Sequence, residues 1–238
     1  MTPFFQPLRY LDPLYIEFPN VELARPDGLL AVGGDLRPAR LLLAYSLGIF
    51  PWFQEDNLIF WFAPYKRFVL PPSELYLSKS LKQTIRRDGW RVTLNHSFSE
   101  VIRACANIKR PKEHHGTWID DDFIANYTQM HHLGWAHSVE VWQDDTLVGG
   151  LYGIVIGNIF SGESMFAKVS NASKVGFAVF VEWLAKQGIT LIDCQTETQY
   201  LASFGAKNIW RDQFMQIIEQ NPLEPLFENG TVQQHRLL

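Results

Sequence analysis

The chain has 238 residues, 47% of them hydrophobic and 19% charged, and a formal net charge of −4. That length buries a large core, in one domain or in one domain with a smaller lobe, and the charge excludes a protein that coats nucleic acid indiscriminately. There are only two cysteines, Cys105 and Cys194, with no Cys-x-x-Cys pairing, so neither a disulfide framework nor a zinc site is expected, and nowhere do eighteen apolar residues run together as a membrane span would require.

The start of the chain has no basic stretch leading into an apolar run, so a cytoplasmic location is expected. Residues 1–70 are rich in Pro and Gly, with turn signals at Pro26-Asp27-Gly28 and Gly33-Gly34-Asp35 and a helix over 38–47 stopped by Gly48. An aromatic cluster, Phe50-Pro51-Trp52-Phe53 and Phe60-Trp61-Phe62, ends this small lobe. From 71 the pattern turns regular, with a helix over 78–87, a strand over 91–94 and helices over 98–106 and 121–132. Three strands follow as a meander, 136–143, 146–156 and 158–166, with Asp144-Asp145 and Gly157-Asn158 as tight hairpin turns. A helix over 171–187, a strand over 190–195 and a helix over 212–219 complete the chain. The fold class is α+β or mixed α/β: a lobe at 1–70 and a catalytic domain at 71–238 whose element order resembles the acyl-CoA N-acyltransferase (GNAT-like) fold.

Two of these strands carry polar side chains where a core strand would not want them. The first contains Ser161-Gly162-Glu163-Ser164, the second Asp193-Cys194-Gln195. A strand-helix-strand crossover lays its two strands side by side, which brings Glu163, Asp193 and Gln195 into one neighbourhood. Alternation points Asp193 and Gln195 to one face and Cys194 to the other. A carboxylate beside a carboxamide suits the handling of an amine. Spacing alone equally fits an Asp that caps a strand end and a Glu in an ordinary ion pair. Where acetyl-CoA enzymes carry their pyrophosphate loop, Ser173-Lys174-Val175-Gly176-Phe177-Ala178 matches only the Gly and Ala positions, so CoA is not expected.

From 79 to 112 basic residues dominate. Lys79, Lys82, Arg86, Arg87 and Arg91 form a stripe suited to a phosphate backbone or to a solvated helix face, and Lys109, Arg110 and Lys112 extend it into a loop. His114-His115 and His131-His132 have no third ligand at zinc-like spacing, so neither a metal nor any cofactor is expected.

Seven segments in order carry a resemblance over most of the chain. They are Pro26–Leu36, Gly48-Ile49-Phe50-Pro51-Trp52-Phe53, Gly116-Thr117-Trp118-Ile119, His137-Ser138-Val139-Glu140-Val141-Trp142, the Gly162–Phe166 stretch, Asn171-Ala172-Ser173-Lys174, and Leu191-Ile192-Asp193-Cys194-Gln195. Together they resemble the leucyl/phenylalanyl-tRNA–protein transferase family. The resemblance implies Leu-tRNA or Phe-tRNA as donor, with Met a third candidate residue, and a protein or peptide with N-terminal Arg or Lys as acceptor. The product is an N-terminal degradation signal, and neither membrane nor metal takes part. It further implies that Glu163 pairs with the donor's α-ammonium, that Gln195 receives the acceptor amine, that Asp193 orients Gln195, and that Trp52, Trp118, Phe160, Phe177 and Phe180 form an apolar slot. Strict alternation separates Phe160 from Glu163, and a bulge near Gly162 would reconcile them. The chain departs from the family at Thr198, Tyr200 and Trp210, where Asn, His and Pro are usual. Two other readings fit the residues: an N-acyltransferase with another activated donor, and an RNA-binding module without catalysis.

Overall fold

The structure, a computed structural model, describes residues 7–56, 58–87, 89–108, 119–227, 230 and 232–238. The chain divides into two compact units, Met1–Arg67 with Ile209–Gln220 and Phe68–Asn208 with Asn221–Leu238.

The first unit holds a four-stranded sheet in the order β1-β2-β4-β3, built from β1 (Tyr10–Leu11), β2 (Leu29–Gly33), β3 (Phe50–Glu55) and β4 (Leu58–Phe62), with helix α1 at Pro38–Ser46. Only α1 was legible in the sequence, where Pro at the first helical position marks its start. Arg40 on α1 is fully buried and organises the chain before the sheet: its guanidinium donates to the carbonyls of Asp12 at 2.9 Å, Tyr15 at 2.8 Å and Glu17 at 3.4 Å, and to Asp35 Oδ2 at 3.3 Å. Helix α7 (Arg211–Glu219), later in the chain, also belongs here.

The second unit is built on a sheet whose strands run in the order β5 (Lys66–Leu70), β10 (Leu191–Asp193), β9 (Ile159–Ala167), β8 (Thr146–Ile156), β7 (Ala136–Gln143), β6 (Arg91–Leu94), β12 (His235–Arg236). A further edge strand is β11 (Lys207–Trp210). The meander forms as its turn residues dictate: Gln143 pairs with Thr146 and Ile156 with Ile159, leaving two-residue loops in which Asp144 and Gly157 take φ of 51° and 52°. Helices α2 (Lys79–Arg87), α3 (Phe98–Asn107), α4 (Asp121–His132), α5 (Ala172–Lys186) and α6 (Gln199–Ala202) complete the described elements. Helix α5 is apolar on most of its surface and packs on β7 and β8. Its approach is close enough that a Cβ at Gly176 would meet the Val141 side chain, which accounts for a glycine inside a helix. Phe160, Phe177 and Phe180 all lie in this core, each worth about 2–3 kcal/mol of burial.

A buried histidine makes this unit acid-sensitive. Burial, with nearby His131 adding to it, pushes the His137 imidazole down to about 3, and its Nδ1 lies 3.1 Å from Asn95 Nδ2, the geometry of a neutral ring accepting from an amide. The folded-state value lies below that of the unfolded chain, so the unfolded chain takes up the proton first. Stability is therefore full above about pH 6.5 and falls as pH drops toward 3, by about 2 kcal/mol at pH 5. Urea midpoints at pH 7.5 and 5.0 measure this; His137→Asn is expected to flatten the difference, and an unchanged slope would remove His137 as its source.

Candidate active site

Strand β9 outruns its neighbour β10. Their parallel ladder, as expected of the crossover, pairs Leu191 with Ile159, Ile192 with Phe160 and Asp193 with Ser161; there β10 ends while β9 continues to Ala167. On the other side of β9, Tyr152 pairs with Ser164 and Gly153 with Gly162, so Glu163 is the extra residue of a β-bulge. The bulge anticipated around Gly162 is thus present, but it does not unite Phe160 with Glu163: the pairing is unbroken from Phe160 to Gly162, Phe160 meets Phe180 of α5, and Glu163 accepts from Tyr127 of α4. The bulge depends on a bare backbone opposite: a Cβ at Gly153 would run into the Ser161 carbonyl and the Phe160 ring. Gly153→Ala is expected to cost about 1–3 kcal/mol of stability and to depress activity with it, because β9 must shift at the bulge. Thermal unfolding checks this; an unchanged midpoint would mean that the two strands separate freely.

The fork gathers Glu163, Asp193 and Gln195. The Gln195 amide donates from Nε2 to Glu163 Oε1 at 2.9 Å, and the Gln195 main-chain N–H donates to Asp193 Oδ1 at 2.9 Å. Alternation does not produce this arrangement. Strand β10 stops at Asp193, and Gln195 stands at φ 61° as the centre of a three-residue turn in which Thr196 N–H reaches Cys194 O at 2.7 Å. The expectation that Asp193 and Gln195 share a strand face is therefore corrected: a left-handed turn, not the pleat, aims the carboxamide. For a residue with a Cβ, such a conformation costs about 1–3 kcal/mol and persists only when its surroundings hold it. Besides the Asp193 bond, Gln195 O accepts from Phe68 N–H at 3.3 Å, and Cys194 N–H donates to Phe68 O at 2.8 Å. Chemically the cluster could receive an amine, since two carboxylates attract cationic nitrogen and a carboxamide can accept from an N–H.

Two hydroxyls complete the cluster, and the sequence reading missed both. Tyr127 on α4 donates to Glu163 Oε2 at 3.1 Å, and Ser161 donates to Asp193 Oδ2 at 3.3 Å. Tyr127 falls on the apolar stripe Phe123, Tyr127, Met130, where a buried phenol needs a polar partner; that requirement was the available signal.

The aromatic candidates are distributed differently. Phe160 and Phe180 meet edge to face at 5.0 Å, whereas Phe177 packs against Phe204 at 4.9 Å, so the two helix residues take different neighbours. Trp52 lies in the first unit among Phe50, Phe53 and Phe62, and Trp118 lies outside the described residues. Lys79, Lys82 and Arg86 are exposed at helical spacing on α2, and Arg87 ends that helix. Arg91 departs from them: it stacks over Trp142 at 4.8 Å and reaches Asp144 O at 3.3 Å. The basic loop at 109–112 and the His114-His115 pair lie outside the described residues. Thr198 caps α6 by accepting from Leu201 N–H at 3.1 Å, and Tyr200 donates to Ser173 at 3.2 Å, with burial raising its phenol to about 12. Among the described residues no group of His, Cys, Asp and Glu is arranged to hold a metal ion, and no helix is long and apolar enough to cross a membrane.

In the second unit an antiparallel meander feeds a crossover helix and a parallel strand. Among solved structures, FemX overlays with a TM-score of 0.45 at 11% identity over 77% of this chain and 71% of that one, and L-PGS from Bacillus licheniformis with 0.40 at 11% over 77% and 62%. The family model for leucyl/phenylalanyl-tRNA protein transferase matches residues 69–219, and that for the N-terminal domain of such transferases matches residues 34–64. Curated leucyl/phenylalanyl-tRNA–protein transferases are similar throughout: one from Anaeromyxobacter sp. (strain Fw109-5) is 52% identical over 206 residues, 87% of each chain, and one from Cellvibrio japonicus (strain Ueda107) is 49% identical over 212 residues, 88% of this chain and 89% of that one. The chain belongs to the leucyl/phenylalanyl-tRNA–protein transferase family and is an aminoacyltransferase.

Proposed function

We propose that the protein transfers Leu or Phe from aminoacyl-tRNA to the α-amine of proteins that begin with Arg or Lys, and that the product is a signal for degradation. The observation that supports this most directly is the 2.9 Å bond between the Gln195 amide and Glu163 at the mouth of the β9–β10 fork. An aminoacyl ester is already activated, and an α-amine with an ordinary pKa near ~8 is partly neutral in the cell. The amine nitrogen attacks the ester carbonyl, the C–N bond forms, the C–O bond to the terminal ribose breaks, and the amine's proton ends on the ribose oxygen. This balance needs neither metal nor cofactor, so the residues act by holding and orienting the reactants.

In this reading Glu163 pairs with the donor's α-ammonium, Gln195 accepts from the attacking amine, and Asp193 sets the position of Gln195. Phe160 and Phe180, which meet edge to face at 5.0 Å, contribute to the slot for an apolar side chain. Lys79, Lys82 and Arg86, exposed along α2, follow the tRNA backbone.

The test is incubation with labelled Leu-tRNA or Phe-tRNA and peptides identical except for N-terminal Arg, Lys or Ala. Label is expected in the Arg and Lys peptides alone, and Glu163→Gln is expected to raise the donor KM about 10- to 100-fold through loss of a charge-assisted bond. Equal labelling of the Ala peptide would overturn the acceptor rule, and an unchanged donor KM would remove Glu163 as the ammonium partner.

A further inference from the structure

Each carboxylate of the fork uses one oxygen to hold Gln195 and the other to accept a hydroxyl. Glu163 takes the Gln195 side-chain amide on Oε1 and the Tyr127 hydroxyl on Oε2; Asp193 takes the Gln195 main-chain N–H on Oδ1 and the Ser161 hydroxyl on Oδ2. Gln195 is thus gripped twice, at its backbone and at its side chain. The backbone grip matters more to its placement, because the left-handed turn at φ 61° is a conformation that Gln does not adopt unaided.

The Asp193 carboxylate needs a second anchor to exert that grip. The last torsion of an Asp side chain is soft and roughly two-fold, so one hydrogen bond leaves the plane of the carboxylate free to swing. Ser161 supplies such an anchor from the neighbouring strand. It pairs with Asp193 in the final rung of the β9–β10 ladder, immediately before β9 bulges at Glu163, and both side chains are buried, Ser161 at 7% exposure and Asp193 at 1%. Parallel partners in register project to the same face, so the hydroxyl meets the carboxylate across the crotch of the fork.

We propose that Ser161 is a positioning residue for acyl transfer: its hydroxyl fixes the Asp193 carboxylate, which holds the main chain of Gln195 in the turn that presents the carboxamide to the acceptor amine. Asp193 accordingly acts on where Gln195 stands. Since the amide NH2 faces Glu163, the Gln195 side-chain oxygen is directed away from that carboxylate, the orientation in which it accepts from an incoming N–H. The inference rests on the reading that Gln195 receives the acceptor amine.

The experiment compares wild type, Ser161→Ala, Ser161→Thr and Asp193→Ala in transfer from Phe-tRNA to an N-terminal Arg peptide, with melting temperature and the amide proton shift of Gln195 measured on each. Ser161→Ala is expected to lower kcat about tenfold with donor KM unchanged and to move the Gln195 amide proton upfield as its bond to the carboxylate loosens, while Ser161→Thr, which keeps the hydroxyl, stays within about twofold of wild type. A Ser161→Ala enzyme at wild-type kcat, beside an impaired Asp193→Ala enzyme, overturns the proposal and leaves the function intact. A Ser161→Thr enzyme as slow as Ser161→Ala also overturns it, because a role in packing alone would then explain both. If the wild type itself transfers nothing, the functional reading fails instead. Should Ser161→Ala fold poorly, the amide shift in Ser161→Thr still decides, since loss of the downfield signal with the hydroxyl present contradicts the anchoring.

Discussion

Asp193→Ala is expected to slow transfer about a hundredfold while leaving the donor KM within about a factor of two. The side chain is almost wholly buried and its Oδ1 holds the Gln195 main-chain N–H at 2.9 Å. Without that acceptor the turn at φ 61° loses its nearest support, Gln195 relaxes toward ordinary backbone angles, and the carboxamide moves by an ångström or more. Displacements of that size cost about two orders of magnitude when the reacting groups must be held in attacking geometry. Asp193→Asn keeps an acceptor oxygen and is expected to recover part of the loss. Single-turnover rates at saturating Phe-tRNA measure the effect; a rate within twofold of wild type would show that Gln195 holds its turn unaided and would sink the assignment.

Arg40→Met is expected to destabilise the first unit by about 3 kcal/mol and to lower the melting temperature by about 6–12 °C. Methionine fills much of the same volume but donates nothing. The carbonyls of Asp12, Tyr15 and Glu17 then lose a shared donor that lies fully inside the protein, while Asp35 keeps its bonds from the Arg37 main-chain N–H at 2.8 Å and the Arg37 guanidinium at 2.9 Å. The stretch over 12–17 contributes no ladder to the sheet, and outside Arg40 its carbonyls are met by the Arg37 guanidinium at Pro13 O, 2.7 Å. Limited proteolysis is expected to cut there first in the variant. Cleavage and melting indistinguishable from wild type would mean that the segment is held by its apolar contacts instead.

How much of this was legible depended on whether a segment's neighbours were local. The meander β7-β8-β9 could be read because two-residue turns with Asp and Gly fix the hairpins within the sequence itself, and α4 because Asp120 caps it and Gly134 follows it. The strands of the first unit could not. In β4 the run Leu58-Ile59-Phe60-Trp61-Phe62 is apolar at every position, so it offers no period, and the Pro and Gly around it read as loop. The site divided in the same way. Glu163, Asp193 and Gln195 stood out as polar residues in apolar strands, but the aim of Gln195 followed from a turn that strand alternation cannot anticipate. Ser161 looked like any small strand residue until its register partner across the ladder was known to be Asp193.

The bulge at Glu163 carries a consequence for how this stretch tolerates change in length. Glu163 has no opposite number in β8, so deleting one residue between 162 and 164 would close the strands into an unbroken ladder, and inserting one would leave two side chains competing for a single place. The deletion removes Glu163 with its bonds to Gln195 and Tyr127, and the insertion leaves composition almost unchanged, yet either would turn a different side chain toward Gln195. The spacing of this segment is thus a coded quantity in its own right: substitutions there tune the site, whereas a single-codon indel would erase it.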